Sequence, residues 1–71
     1  MSIEHQMYGW MSVSELDREL STQRERARNA YRVAAESGQG SIADWYQATA
    51  DEAVAKVAAI LDVLARRRGA A

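Results

Sequence analysis

Ser37-Gly38-Gln39-Gly40-Ser41 divides the chain into two stretches of helical character, and the reading of this pentapeptide decides the fold. Its glycines give the backbone freedom to stop one helix and reverse direction, while a serine at each edge offers an oxygen to a helix end. A connector this short between two long helices favours an antiparallel hairpin.

Reading back from the turn, the first long helix has a marked start. Ser12 and Glu15 have the Ser-x-x-Glu spacing of a capping box, and Met11 and Leu16 have the spacing of a hydrophobic staple. The helix is therefore placed at 12–36. Within it Val13, Leu16, Leu20, Gln23, Ala27, Ala30 and Ala34 advance by alternating threes and fours, the period of a left-handed helix–helix seam or coiled coil. Forward of the turn, Ser41 opens a second helix over 42–68, with Asp44 near its positive end and Arg66, Arg67 and Arg68 at its negative end. Ile42, Tyr46, Ala50, Ala53, Val57, Ile60 and Leu64 share a face that Val54 and Leu61 widen. With no Pro in the chain, each helix runs unbroken for about 25 residues, or about 37 Å. Residues 1–11 show no period and read as an irregular aromatic arm; 69–71 read as a tail.

Folding the chain about Gln39 sets Tyr31 against Tyr46, Ala27 against Asp51, and Leu16 and Leu20 against Leu61 and Val57. The seam residues are thus Leu16, Leu20, Gln23, Ala27, Val54, Val57, Ile60, Leu61 and Leu64. A seam so rich in alanine buries little area, and at about 25 cal/mol per Å² a lone hairpin barely offsets its conformational entropy. The fold expectation is all-α: an antiparallel two-helix hairpin that dimerises into a four-helix bundle.

Composition narrows the function. The chain has 71 residues, no Cys and a single His, so neither disulfides nor a zinc site built from Cys and His staples so small a domain. Nine basic and ten acidic residues leave a net charge of −1, which gives no bulk attraction to nucleic acid or anionic membrane. The arginine and alanine bias suits a GC-rich bacterial or phage gene encoding an accessory protein. No apolar run reaches the roughly 18 residues of a spanning helix, and residues 1–11 lack the n- and h-regions of a signal peptide. A cytoplasmic protein without membrane contact is expected.

No enzyme, metal or cofactor motif is present. His5 lies in the arm with no positioned nucleophile, Asp51 and Glu52 diverge as helix neighbours, and Gly38-x-Gly40 lacks the strand and Lys of a phosphate loop. Candidate partner-binding residues are Trp45, Tyr46, Val63, Tyr8 and Trp10. At 100° per residue, Trp45 points roughly 120° from the centre of the apolar face, with Val63 on the same outer line, and tryptophan is enriched in binding hot spots. Tyr8, Trp10 and Met11 are expected to fold over the open end against Leu61 and Leu64, Trp10 stacking on Arg66 or Arg67. Arg24, Arg28 and Arg32 form a basic stripe, expected to be answered by Glu25, Glu36 and the acids of the second helix, Asp44, Asp51 and Asp62. The expected function is a non-enzymatic protein–protein interaction module: an adaptor, inhibitor or assembly and regulatory factor acting as a homodimer. The alternative is an RNA- or DNA-binding regulator that uses the Arg24, Arg28 and Arg32 face.

Overall fold

The capping box at Ser12 forms as its spacing requires. The Glu15 amide donates to Ser12 Oγ at 3.1 Å, and the Ser12 amide donates to Glu15 Oε1 at 3.0 Å. This reciprocal pair satisfies orphan donors at the start of helix α2, which spans Val13–Ser37. Met11, one residue before the cap, packs against the core cluster that contains Leu16, the side the staple spacing aims it toward. At the far end Gly38 stops the helix with φ 75°, and Gly40 follows with φ 117°. An added Cβ would meet nothing within 4 Å at either position, so the need for glycine there is torsional rather than steric.

Helix α3 spans Ser41–Gly69. Its first intrahelical bond runs from the Asp44 amide to the Gly40 carbonyl at 3.0 Å, so Gly40 takes the capping position and Ser41 is already helical. The computed structural model describes residues 3–69, with side chains from residue 6 onward. Ala70 and Ala71 of the expected tail, the first two residues of the arm and the His5 side chain lie outside the described residues. Among the described residues every regular element is helical, and α2 packs against α3 as an antiparallel hairpin.

The arm differs from expectation. Ile3–Tyr8 is helical and forms α1, a short element laid on α3 at the open end of the hairpin. Its anchor is Tyr8, 2% exposed, in a cluster with Leu16, Leu20, Ala59, Ile60, Val63 and Leu64, with Met11 and Val57 at its edge. Amides of Trp10 and Met11 close the following turn on the carbonyls of Met7 and Tyr8. Arg67 then clasps it, donating from Nη2 to the Gly9 carbonyl at 2.7 Å. Arg66 pairs instead with Asp62 at 3.0 Å, and Trp10 is left 89% exposed rather than stacked.

On α2 the buried residues are Leu16, Leu20, Gln23, Ala27, Ala30 and Ala34, the face given by its three–four period except for Val13, which is exposed in the first turn. On α3 the face is turned. Ala43, Ala50, Ala53, Ala59, Ile60, Val63 and Leu64 are buried, whereas Val54 and Leu61, expected in the seam, and Ile42, expected on the same apolar face, are exposed. At the open end α1 adds a third wall against α3: Ala59 and Val63 join the cluster that holds Tyr8, and Leu61 stays outside it. The core is thus aliphatic and aromatic at the open end, and alanine from the middle to the tip.

Candidate functional site

Toward the turn, the flank of α3 that α1 covers below is uncovered. Trp45-Glu52-Ala59 and Thr49-Lys56-Val63 are heptad series on that flank, so Trp45 and Thr49 lie in line with two residues buried beside α1. There a groove of about 470 Å³ runs beside the seam, walled by Ala30, Val33 and Asn29 of α2 and by Trp45, Tyr46 and Thr49 of α3. Glu25, Arg26 and Thr22 complete its lower part.

Local chemistry makes this groove apolar. Thr22 and Thr49 both turn their hydroxyls back onto their own helices, donating to the carbonyls of Arg18 at 3.1 Å and Trp45 at 2.9 Å. The hydroxyls are thereby satisfied, and the methyl is the group each offers to a neighbour. Trp45 and Tyr46 meet edge to face, ring centres 4.9 Å apart at 87°, a favourable quadrupole geometry that fixes the two rings against each other. Trp45 is nevertheless 62% exposed, and Tyr46 is half-buried.

The other candidate residues fall elsewhere. Val63, expected on the outer line with Trp45, is on that line but buried beneath α1. Tyr8 is a core residue and presents no surface to a partner. Trp10 is the most exposed of the large apolar side chains and sits at the opposite end of the hairpin from Trp45. Met7, outward on α1, escaped the sequence reading, because six helical residues show too little period to separate inner from outer faces.

Tyr31 does not meet Tyr46. Its hydroxyl donates to Asp51 Oδ1 at 2.9 Å on the opposite flank, and Gln47 Nε2 donates to the same oxygen at 3.3 Å. This bond raises the Tyr31 phenol above its ordinary value of 10.0, because ionisation would set a phenolate against the carboxylate. At the cap the effect is reversed: the backbone and side-chain hydrogen bonds from Ser12, aided by Arg18, hold the Glu15 carboxyl below 4.5.

The basic stripe is not answered as expected. Asp51 is engaged by Tyr31 and Gln47, and Asp62 by Arg66, while Arg24, Arg28 and Arg32 are exposed and enter no ion pair among the described residues. Glu52 pairs with Lys56 at 3.5 Å. Gln23 is buried in the seam, where its Nε2 donates to Glu19 Oε1 at 2.8 Å and its own Oε1 is buried without a partner.

Among the described residues no group of three His, Cys, Asp or Glu is placed to hold a metal ion, and no helix is long and apolar enough to cross a membrane. No protein-family model, curated protein or solved structure matches the chain.

Proposed function

We propose that this protein is a non-enzymatic protein–protein interaction module, a helical hairpin that self-associates into a four-helix assembly in a cytoplasmic setting. The observation that carries this reading is the groove: an apolar site whose rim holds Trp45, 62% exposed, directly in line with positions that the same chain covers. Tryptophan beside an apolar depression is the arrangement typical of binding hot spots. As an adaptor, inhibitor or assembly factor, the protein would act by offering this surface.

Sedimentation of the full chain across micromolar concentrations tests the reading. Association that weakens in Trp45→Ala, with helicity retained by circular dichroism, supports it. A monomer at all concentrations that melts cooperatively speaks against the self-associating part.

A second reading has its own observation. The unpaired Arg24, Arg28 and Arg32 form a cationic row on one helix, suited to contacts with nucleic-acid phosphates. On this reading, labelled RNA or duplex DNA binds at low salt, binding falls steeply with added salt, and replacement of all three by Gln abolishes it. Failure to retain either nucleic acid at low salt removes this alternative.

A further inference from the structure

The flank opposite the groove carries an apolar row with a cationic row beside it. We infer that this flank is a docking surface for an acidic amphipathic helix of another protein. The apolar side of that helix lies on Val54 and Leu61, and its carboxylates meet Arg24, Arg28 and Arg32. This is a second surface, on the other side of the hairpin from Trp45, and it goes beyond the reading built on the groove.

The bond from the Tyr31 hydroxyl to Asp51, 2.9 Å long, fixes which stripes of the two helices share this flank. On α3, Asp51, Val54, Ala58 and Leu61 follow one another in steps of three and four, so they form one stripe. On α2, Tyr31, Arg28 and Arg24 do the same in the reverse direction, with Arg32 one turn on from Arg28. Because the helices are antiparallel, residues before Tyr31 run beside residues after Asp51. The arginines therefore flank the row that leads to Val54 and Leu61.

The apolar row has the spacing of a helix–helix seam without a helix on it. Val54 and Leu61 stand a heptad apart, 45% and 42% exposed, with Ala58 exposed between them. In coiled coils the charges beside such a seam set the choice of partner. Here that charge is of one sign. Arg24, Arg28 and Arg32 enter no ion pair among the described residues, and Asp51, the acid on the facing stripe, is engaged by Tyr31 and Gln47. The stripe's other acid, Asp17, lies a full heptad from Arg24. Like charges one turn apart repel, and carboxylates from a partner reverse that cost.

Two arguments fix the occupant as a protein helix. Among the described residues there is no strand whose edge an extended peptide could join, which leaves the helix-in-groove mode of recognition. Nucleic-acid phosphates would satisfy the arginines but give no cover to Val54 and Leu61, and the net charge of −1 supplies no general attraction to a polyanion.

Fluorescence anisotropy on the full chain tests the inference. The probe is a labelled peptide of three heptads with Leu at both seam positions and Glu at the positions beside them. It is expected to bind, and a counterpart with Lys in place of Glu is not. Arg24→Gln, Arg28→Gln and Arg32→Gln together, or Val54→Gln with Leu61→Gln, act at exposed positions and leave helicity unchanged. Each set is expected to weaken binding about tenfold or more. Lys at the three arginine positions retains most of the binding, and Trp45→Ala leaves it unchanged, which separates this surface from the groove. Failure of the Glu peptide to bind at submillimolar concentration, or equal binding of the Lys peptide, overturns the inference. So does labelled RNA or duplex DNA that displaces the peptide and binds the Val54 and Leu61 variant as well as the wild type, since the arginines then serve phosphate. Loss of self-association in that variant, read by sedimentation, assigns the flank to a second copy and overturns it equally, while leaving the interaction-module reading in place.

Discussion

The two ends of one flank differ in a single respect: at the open end a short helix lies across the long ones, and near the turn nothing does. Where α1 covers α3, Tyr8, Ile60, Val63 and Leu64 form a continuous apolar interior. Where it does not, alanines meet across the seam and two aromatic rings border an open groove. The lesson is that packing is divided along the molecule's length. Large side chains are committed to holding the hairpin at one end and left available at the other.

The strongest way to break this comparison is to truncate one aromatic from each half. Tyr8→Ala removes a nearly fully buried side chain and should cost about 3 kcal/mol, a large share of the stability of so small a domain. Trp45→Ala should change the stability of the chain at high dilution by no more than about 0.5 kcal/mol. Urea unfolding followed by circular dichroism compares them, and equal losses would erase the distinction between the halves.

Next in size is Gln23→Leu. Gln23 Oε1 is a buried acceptor without a donor at the border between the halves, and an apolar side chain of similar volume removes that penalty. A gain of about 1 kcal/mol is expected, seen as a higher urea midpoint with unchanged slope. Loss of stability instead would mean that the bond from Gln23 to Glu19 outweighs the orphaned oxygen.

Ser12→Ala removes the cap that aims the chain from α1 into α2 and should cost about 1 kcal/mol. The same site carries a pH signature. Because the folded Glu15 carboxyl lies below its ordinary 4.5, its contribution is present above the unfolded value and fades as pH falls through the lowered folded one. The acid limb of the stability profile should therefore flatten in Glu15→Gln.

The smallest effect belongs to the tip. Among the described residues, the Tyr31–Asp51 bond is the one side-chain hydrogen bond joining α2 to α3. Its contribution is present below the ordinary phenol value of 10.0 and is lost as pH rises through the raised folded value. Ultraviolet titration of the wild type should show one tyrosine ionising late, and Asp51→Asn should return it toward 10.0. No change in that variant would mean that the exposed bond is not maintained in solution.

Much of the architecture was legible in the residues. The capping box at Ser12 and Glu15, the Met11–Leu16 staple, the glycine turn and the six buried positions of α2 each follow from local spacing. The phase of α3 did not. Alanines fall on most sides of that helix, so an apolar stripe drawn through Ile42, Val54 and Leu61 fits the sequence as well as one through Ala43, Ala59 and Val63. At the open end the buried side is the one on which Tyr8 of α1 packs, with Ala59 and Val63. Tyr8 was legible as folding over the open end toward Leu64, but the helix that carries it was not, since so short a helix has no periodicity of its own. Trp45 was legible as an exposed aromatic, but its groove was not, because the groove exists through what covers the rest of that flank. The sequence likewise offered acids to answer the Arg24–Arg32 stripe, yet Asp51 and Asp62 were drawn to Tyr31, Gln47 and Arg66.

The alanine seam has a consequence for how the molecule comes apart. Ala27, Ala30 and Ala34 face Ala43, Ala50 and Ala53 with few bulky knobs to interlock them, while at the open end Tyr8 is buried in the core cluster and Arg67 clasps the turn after α1. Most hairpins fray where their ends are free. This one should unzip from its covalently joined end, with amide hydrogens around Val33 and Ala48 exchanging before those around Leu20 and Ile60.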